Sequence, residues 1–453
     1  MDKTANQLVT FAHGLRYRDL PKPLIEATKA RLVDSMGCAM AALLAPPVRA
    51  ARKLAYPIAG NDGARVFGTL TQTTPDLAAL VNGVMVRYLD MSDAFLMTST
   101  AHPSDNIPGL MAIAEATGAS GKDLLLAVVI SYEVQCRLAD AAAFQAEGWD
   151  QPVAGAPAAA LAAGRLLGLG KAQLHDALAM ATVPNAATLQ TRAGHLSMWK
   201  GVAGPNAARQ GVFAAQLAQA GMTGPEDPFD GQFGLWAQTM GDRYPVKIPK
   251  KMDGHTFALM QTNIKTYPVR DSIQVPIMAA LKLRKKLEAD EIESLRIDTY
   301  AKSFARAVED KALWEPTTRE SADHSLPFCI AAALLDGEVS PETFERKRYL
   351  DGDARRLIKR MRMELDDAFD KVAPATRTCR LVATTKAGKE ITVQHRQTLR
   401  DIERGPSKKT FEEKFHRLAG GALPQDARDA MLDALWSIDK AKTIDRVIDL
   451  TAI

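Results

Sequence analysis

The chain has 453 residues, too many for one ordinary hydrophobic core, so two domains are expected. Its 57 Lys and Arg nearly balance 53 Asp and Glu, for a formal net charge of +4. The densest basic run, 282–286 in KLRKKLEADE, is followed at once by acids and reads as a solvated helix face, which argues against a nucleic-acid-binding surface. The four cysteines, Cys38, Cys136, Cys329 and Cys379, lack CxxC or CxxxH spacing, so zinc and redox motifs are excluded and no metal site is expected. Cys38, Cys136 and Cys329 lie in apolar helical surroundings and read as core thiols. MDKTANQLVTFAHGLRYRDL has no signal-type apolar region, and the longest apolar run, LLLAVVI at 124–130, is far short of a bilayer span. A soluble, cytoplasmic protein that contacts neither membrane nor nucleic acid is the expectation.

In chain order, Pro23 opens a helix whose apolar positions Ile25, Leu32, Met36, Met40 and Leu43 share one face, with Pro46-Pro47 expected to end it. The segments LAALVNGVMV and IPGLMAIAEA are strongly apolar, and the polar block 88–106 lies between them. Gly121-Lys122-Asp123 starts a helix through LLLAVVISYEVQCRL that is apolar nearly all round, with Glu133 and Arg137 placed to pair at a spacing of four. PAAALAAGRLL ends at Gly168 and Gly170, and KAQLHDALAMAT follows. Then comes PNAARQGVFAAQLAQAG, with Pro205 near its first position and Gly221 at its C-cap. The character shifts near residue 245, where YPVKIPKK and the segment from Gly254 on carry turn formers. SLRIDTYAKSF at 294–304 alternates like a strand, and CRLVATTKAGKEITVQHRQ at 379–397 reads as a hairpin turning at Lys386-Ala387-Gly388-Lys389. Helices are expected at 270–287, 324–336 and 353–362, and three more in the C-terminal stretch. The predicted fold is mainly α: a large discontinuous all-α helical domain (1–264 and 399–453) with an inserted smaller α+β domain (265–398).

No GxGxxG follows a strand, and GxxxxGK[ST], HExxH and GxSxG do not occur, so chemistry without a cofactor, or binding alone, remains. Four patches carry candidate groups. In YLDMSDAFLMTSTAHPSDN, Asp90 and Asp93 precede His102, and ionisable groups between apolar helices are costly unless paired or used. In HLSMWKGVAGPN, Lys200 sits in a Gly-rich loop before a helix, the makings of an anion site, with His195 five residues earlier. In KTYPVR, Lys265 and Arg270 flank a Tyr-Pro turn and could grip a carboxylate. In ADHSLPF, His324 starts an apolar helix. Together they suit a substrate with several carboxylates: proton abstraction beside a carboxylate needs a base and preorganised positive charge.

The blocks VDSMGCAMAA, NGVMVRYLDMSD…AHPSDNIPGLMAIAE, GASGKDLLLAVVISYEV, AAALAAGRLLGLGKAQLHDALAMA, KGVAGPNAARQGVFAAQLAQAGMTGPEDPFDGQFG, IKTYPVRDSIQVPI, ADHSLPFCIAAALLDG and EEKFHRLA occur in an order and spacing that resemble the MmgE/PrpD family over nearly the whole chain. That family includes 2-methylcitrate dehydratase, cis-aconitate decarboxylase and iminodisuccinate epimerase. The resemblance implies a large all-α domain, a smaller α+β lid, an active site between them, no required cofactor, and a homodimer through the helical domain. It implies that Asp90, His102, Lys200 and Lys265 form the catalytic set; with the patches above, Asp93, His195, Arg270 and His324 are the substrate-binding candidates. The implied activity is that of a lyase of the dehydratase type on a small di- or tricarboxylic acid, with epimerase, decarboxylase and non-catalytic carboxylate-binding alternatives. The chain departs from the family pattern at Ala94-Phe95, where a Thr-His pair is usual. It also has Trp149 and Asp150 where the decarboxylases place a His, Arg270 for a frequent His, and Phe328 for a frequent Tyr.

Overall fold

In the computed structural model, which describes residues 2–58, 60, 63–248, 256–304 and 310–453, the chain divides into two compact units. The larger comprises Met1–Gln190, Gly201–Thr262 and Gly405–Ile453; the smaller comprises Thr191–Lys200 and Asn263–Arg404. The segment carrying His195 and Lys200 therefore groups with the smaller unit, not with the first helical stretch where the sequence placed it.

The larger unit is built mainly of helices, with two short antiparallel strand pairs, Ala64–Arg65 with Gln72–Thr73 and Asp93–Leu96 with Thr100–Ala101. Ser120 and Asp123 form a capping box at the start of Gly121–Ala141, and this helix is buried along most of its length, as its all-round apolar sequence predicts. Glu133 and Arg137 pair at 2.7 Å, and the pair fastens a distant segment: the Ala258 amide donates to Glu133 at 2.7 Å and Arg137 donates to the Thr256 carbonyl at 2.5 Å. Helix Lys22–Ala41 stops short of Pro46-Pro47. Proline instead opens the next helix, Pro46–Ala55, because its missing N–H costs nothing in a first turn. Pro205 is likewise in the first turn of Ala203–Gln219, at its third residue. The chain returns through Lys408–Ala419, which packs on Lys22–Ala41, and through Gln425–Trp436.

Small residues set how closely these helices cross. A Cβ built on Gly211 would lie 2.5 Å from both the Ala156 carbonyl oxygen and the Ala159 Cβ, so Ala203–Gln219 and Pro152–Leu166 meet backbone to backbone. Gly83 accepts Pro205 at a similarly short separation.

The smaller unit holds a four-stranded sheet. Ile292–Thr299 runs parallel to Met361–Leu365 and antiparallel to Thr376–Thr385, which pairs antiparallel with Glu390–Thr398. The hairpin turns at 386–389 as expected, with Gly388 at φ +79°. Helices Gln274–Arg284 and Leu326–Asp336 bury Val275, Ile277, Phe328 and Ile330 in one core with Leu295, Ile297, Cys379 and Leu381 of the sheet. All four cysteines are buried, and none forms a disulfide. The strand read at 294–304 ends at Thr299. The helix read at 353–362 ends at Ile358 and gives way to the strand Met361–Leu365. Part of the turn-rich stretch expected beyond residue 245, at 249–255, lies outside the described residues. Among the described residues no helix is long and apolar enough to cross a membrane.

Gly211→Ala should lower the urea midpoint of the full chain by the equivalent of about 1–3 kcal/mol through overpacking. Gly14→Ala, where a Cβ meets nothing within 4 Å, should stay within about 0.5 kcal/mol of the parent.

Candidate active-site clusters

In the larger unit, the polar block begins where helix Pro75–Tyr88 ends. Asp90 adopts φ +51°, a left-handed conformation that Asp tolerates better than most residues, and this turns the chain sharply into the strand Asp93–Leu96. That strand pairs with Thr100–Ala101, and a 3-10 turn, Pro103–Asn106, leads into helix Ile107–Thr117. The hairpin brings His102 back beside Asp93.

Asp90, Asp93, His102 and Asp105 are all buried. Asp90 is ion-paired with Arg87, whose Nε also lies 3.6 Å from Asp105 Oδ1. One guanidinium thus faces two carboxylates. The His102 Nδ1 stands 2.8 Å from the Asp93 carbonyl oxygen. A carbonyl can only accept, so Nδ1 carries the proton and Nε2 is the ring's basic nitrogen. The Asp93 carboxylate accepts from the Ser104 amide at 3.2 Å and so braces the turn after His102. Gln151 donates to Asp105 at 3.3 Å and accepts from Gln135 at 3.2 Å, and Asn106 donates to Gln135 at 2.8 Å. Gly204 leaves room for Asp105: a Cβ there would fall 1.9 Å from the carboxylate oxygen.

The smaller unit assembles a second cluster around a residue that the sequence reading did not single out. Asp323 is fully buried, and its carboxylate takes Lys200 Nζ at 2.7 and 2.9 Å, Arg319 Nη1 at 3.2 Å and His324 Nδ1 at 2.5 Å. Burial acts to raise the Asp323 pKa, but Lys200, His324 and Arg319 outweigh it and hold the carboxyl below its ordinary value. The carboxylate fixes His324 with its proton on Nδ1 and its basic nitrogen at Nε2. The Asp323 carbonyl also accepts the Arg270 amide at 3.0 Å, so this residue registers three sequence-predicted site residues at once. Lys200 is buried rather than exposed on a loose loop, and Arg192 donates to its carbonyl at 3.0 Å.

Lys265 is also buried. Its loop is held by Gln274, whose side chain accepts from the Thr266 and Tyr267 amides at 3.0 and 3.1 Å and donates to the Tyr267 carbonyl at 2.9 Å. Asp271 closes the loop's far end, accepting from Asn263 at 2.6 Å and Arg377 at 2.7 Å. Lys302, another residue not read from sequence, stands in this cationic neighbourhood. Burial, then Arg270 and Arg377, lower its pKa to about 8. His195 is exposed, and its ring lies 3.3 Å from the Thr317 hydroxyl. The structure thus groups Asp90, Asp93 and His102 in one unit, and Lys200, His324 and Arg270 in the other.

Of the groups the sequence reading passed over, Arg87 and Asp105 had a local signal: they flank the named residues in RYLD and HPSD. Asp323 read as a helix cap, and its role depends on Lys200, 123 positions away.

Residues 6–247 match the MmgE/PrpD N-terminal domain, and residues 267–438 match the MmgE/PrpD C-terminal domain. The chain is 27% identical to the cis-aconitate decarboxylase of Homo sapiens, over 95% of this chain and 90% of the relative. It is 25% identical to the 2-methylcitrate dehydratase of Cupriavidus necator over 93% and 92%. It is 27% identical to that of Salmonella typhimurium over 78% and 76%. With both domains matched across most of its length, the chain belongs to the MmgE/PrpD family.

Proposed function

We propose that the protein is a cofactor-independent lyase of the dehydratase type acting on a small di- or tricarboxylic acid. The observation that carries this reading is the pairing of two kinds of chemistry in a chain of this family. The first is an imidazole, His102, with a defined basic nitrogen beside the carboxylates Asp90 and Asp93. The second is a set of buried or half-buried cations, Lys200, Lys265 and Arg270. The relatives' names support the substrate class, since 2-methylcitrate and cis-aconitate are both tricarboxylates.

In the proposed step, a base takes the proton from the carbon next to a carboxylate. The C–H electrons form the carbon–carbon double bond, the neighbouring C–O bond breaks, and the hydroxyl leaves with a proton as water. Charge accumulates on the carboxylate beside the reacting carbon, and fixed cations stabilise it there. Asp90 and His102 take the acid and base roles, while Lys200, Lys265 and Arg270 hold carboxylates. Asp93 and His324 support these groups through the hydrogen bonds described above.

His102→Ala should lower the rate of alkene formation from citrate-like substrates about 100-fold or more, followed by the absorbance of the new double bond. Parental turnover in that variant would remove His102 from the mechanism. Solvent deuterium entering the recovered substrate without net alkene would indicate epimerisation, and carbon dioxide release would indicate decarboxylation.

The cationic cluster makes a separate expectation. Lys302 loses its charge as pH rises through about 8. The thermal stabilisation given by citrate should therefore shrink between about one unit below and one unit above that value, and Lys302→Met should flatten the dependence. An equally steep pH dependence in Lys302→Met would show that another group is responsible.

A further inference from the structure

The loop that carries Asp90 is held from far along the chain. Lys414, in the returning helix Lys408–Ala419, places its Nζ 2.7 Å from the Met91 carbonyl oxygen and 2.6 Å from Asp34 Oδ1 of helix Lys22–Ala41. Both side chains are buried. The two helices come this close because of Gly37, where an added Cβ would lie 3.3 Å from the Phe415 Cα. The same helices grip the loop's apolar side, since Leu89 and Met91 pack with Cys38 and Leu418. A buried ion pair is weak grounds for stability, because desolvation offsets most of the attraction. What this pair adds is a charged donor on a carbonyl between the left-handed Asp90 and the Asp93 that receives His102.

We propose that Lys414, set by Asp34, is the positioning residue of the Asp90–Asp93 loop: it fixes the Met91 carbonyl and thereby the placement of the Asp90 carboxylate and of the Asp93 carbonyl that orients His102. The inference rests on the proton-transfer roles proposed above for its kinetic consequence, but not for its structural one.

The test compares the full-length parent with the double variant Lys414→Met/Asp34→Leu, which replaces both charges with apolar groups and should leave the urea midpoint close to the parent's. Amide hydrogen exchange in peptides spanning residues 89–96 should nevertheless accelerate at least about tenfold, equivalent to a loss of about 1.4 kcal/mol of local protection. In the same variant kcat should fall about tenfold or more with KM changed less than about twofold. Lys414→Arg, which keeps a charged donor, should retain most of the protection and most of kcat. Lys29→Met breaks another, half-buried ion pair of helix Lys22–Ala41, at 2.8 Å to Asp439, and should leave exchange at 89–96 unchanged. Parental exchange at 89–96 in the double variant, or equal acceleration in Lys29→Met, overturns the proposal. If exchange accelerates as expected while His102→Ala keeps full turnover, the proton-transfer reading fails and the positioning of the loop stands.

Discussion

Much of this molecule follows from one constraint: a carboxylate taken out of water must be met by a cation and by hydrogen bonds, or the cost reaches several kcal/mol. Asp34 is met by Lys414, Asp90 by Arg87, Asp271 by Arg377 and Asp323 by Lys200. Three of these four pairs join residues more than 100 positions apart. They can form only once the helices and the sheet have brought distant segments together, so each works as a checkpoint on tertiary structure. Every candidate functional residue except the exposed His195 is a member of one of these groups or sits on a loop that one of them holds.

His102 and His324 show how hydrogen bonds of this kind fix a ring's orientation. His102 and His324 both direct Nδ1 at an oxygen, which sets the same tautomer in each ring. The oxygen differs, however. His102 faces a backbone carbonyl, a dipole without net charge, whereas His324 faces a carboxylate. Each ring is therefore held by a partner fixed in its own unit, His102 by the Asp93 carbonyl and His324 by the Asp323 carboxylate.

Local patterning made part of this legible in the sequence. Capping and period reveal the helices Gly121–Ala141 and Lys171–Thr182, and turn chemistry reveals the 386–389 hairpin. The strand Met361–Leu365 is invisible because its sequence MRMEL has no clean alternation and only Met361 is buried; it is an edge strand specified by its partner Ile292–Thr299. Pro46 reads as a helix stop because proline forbids a helix interior, yet the same property suits a first turn, and only the preceding chain direction decides between them. Among the candidate residues, Asp90, His102 and Lys200 stand out as charges among apolar or glycine-rich neighbours. Asp323 and Lys414 look like an ordinary cap and an ordinary surface-helix lysine until their distant partners are known.

Where the chain departs from the family pattern, packing takes the place of polar groups. Ala94 is fully buried, and Phe95 packs with Ala101, Cys136, Ala139 and Ala258, so this strand adds apolar filling where a Thr-His pair is usual. Phe328, in place of a frequent Tyr, is buried edge-on against Phe344 and Tyr349. Three hydrogen-bonding groups are exchanged for packing, while at Arg270 a titratable imidazole is exchanged for a permanent cation. A site built on hydroxyls and imidazoles rejects analogues that lack one polar group, because its own buried groups would then go unpaired. A site built on cations discriminates chiefly by the number and spacing of negative charges. On the function proposed above, these exchanges would weigh recognition toward the carboxylates of a substrate rather than its hydroxyl pattern.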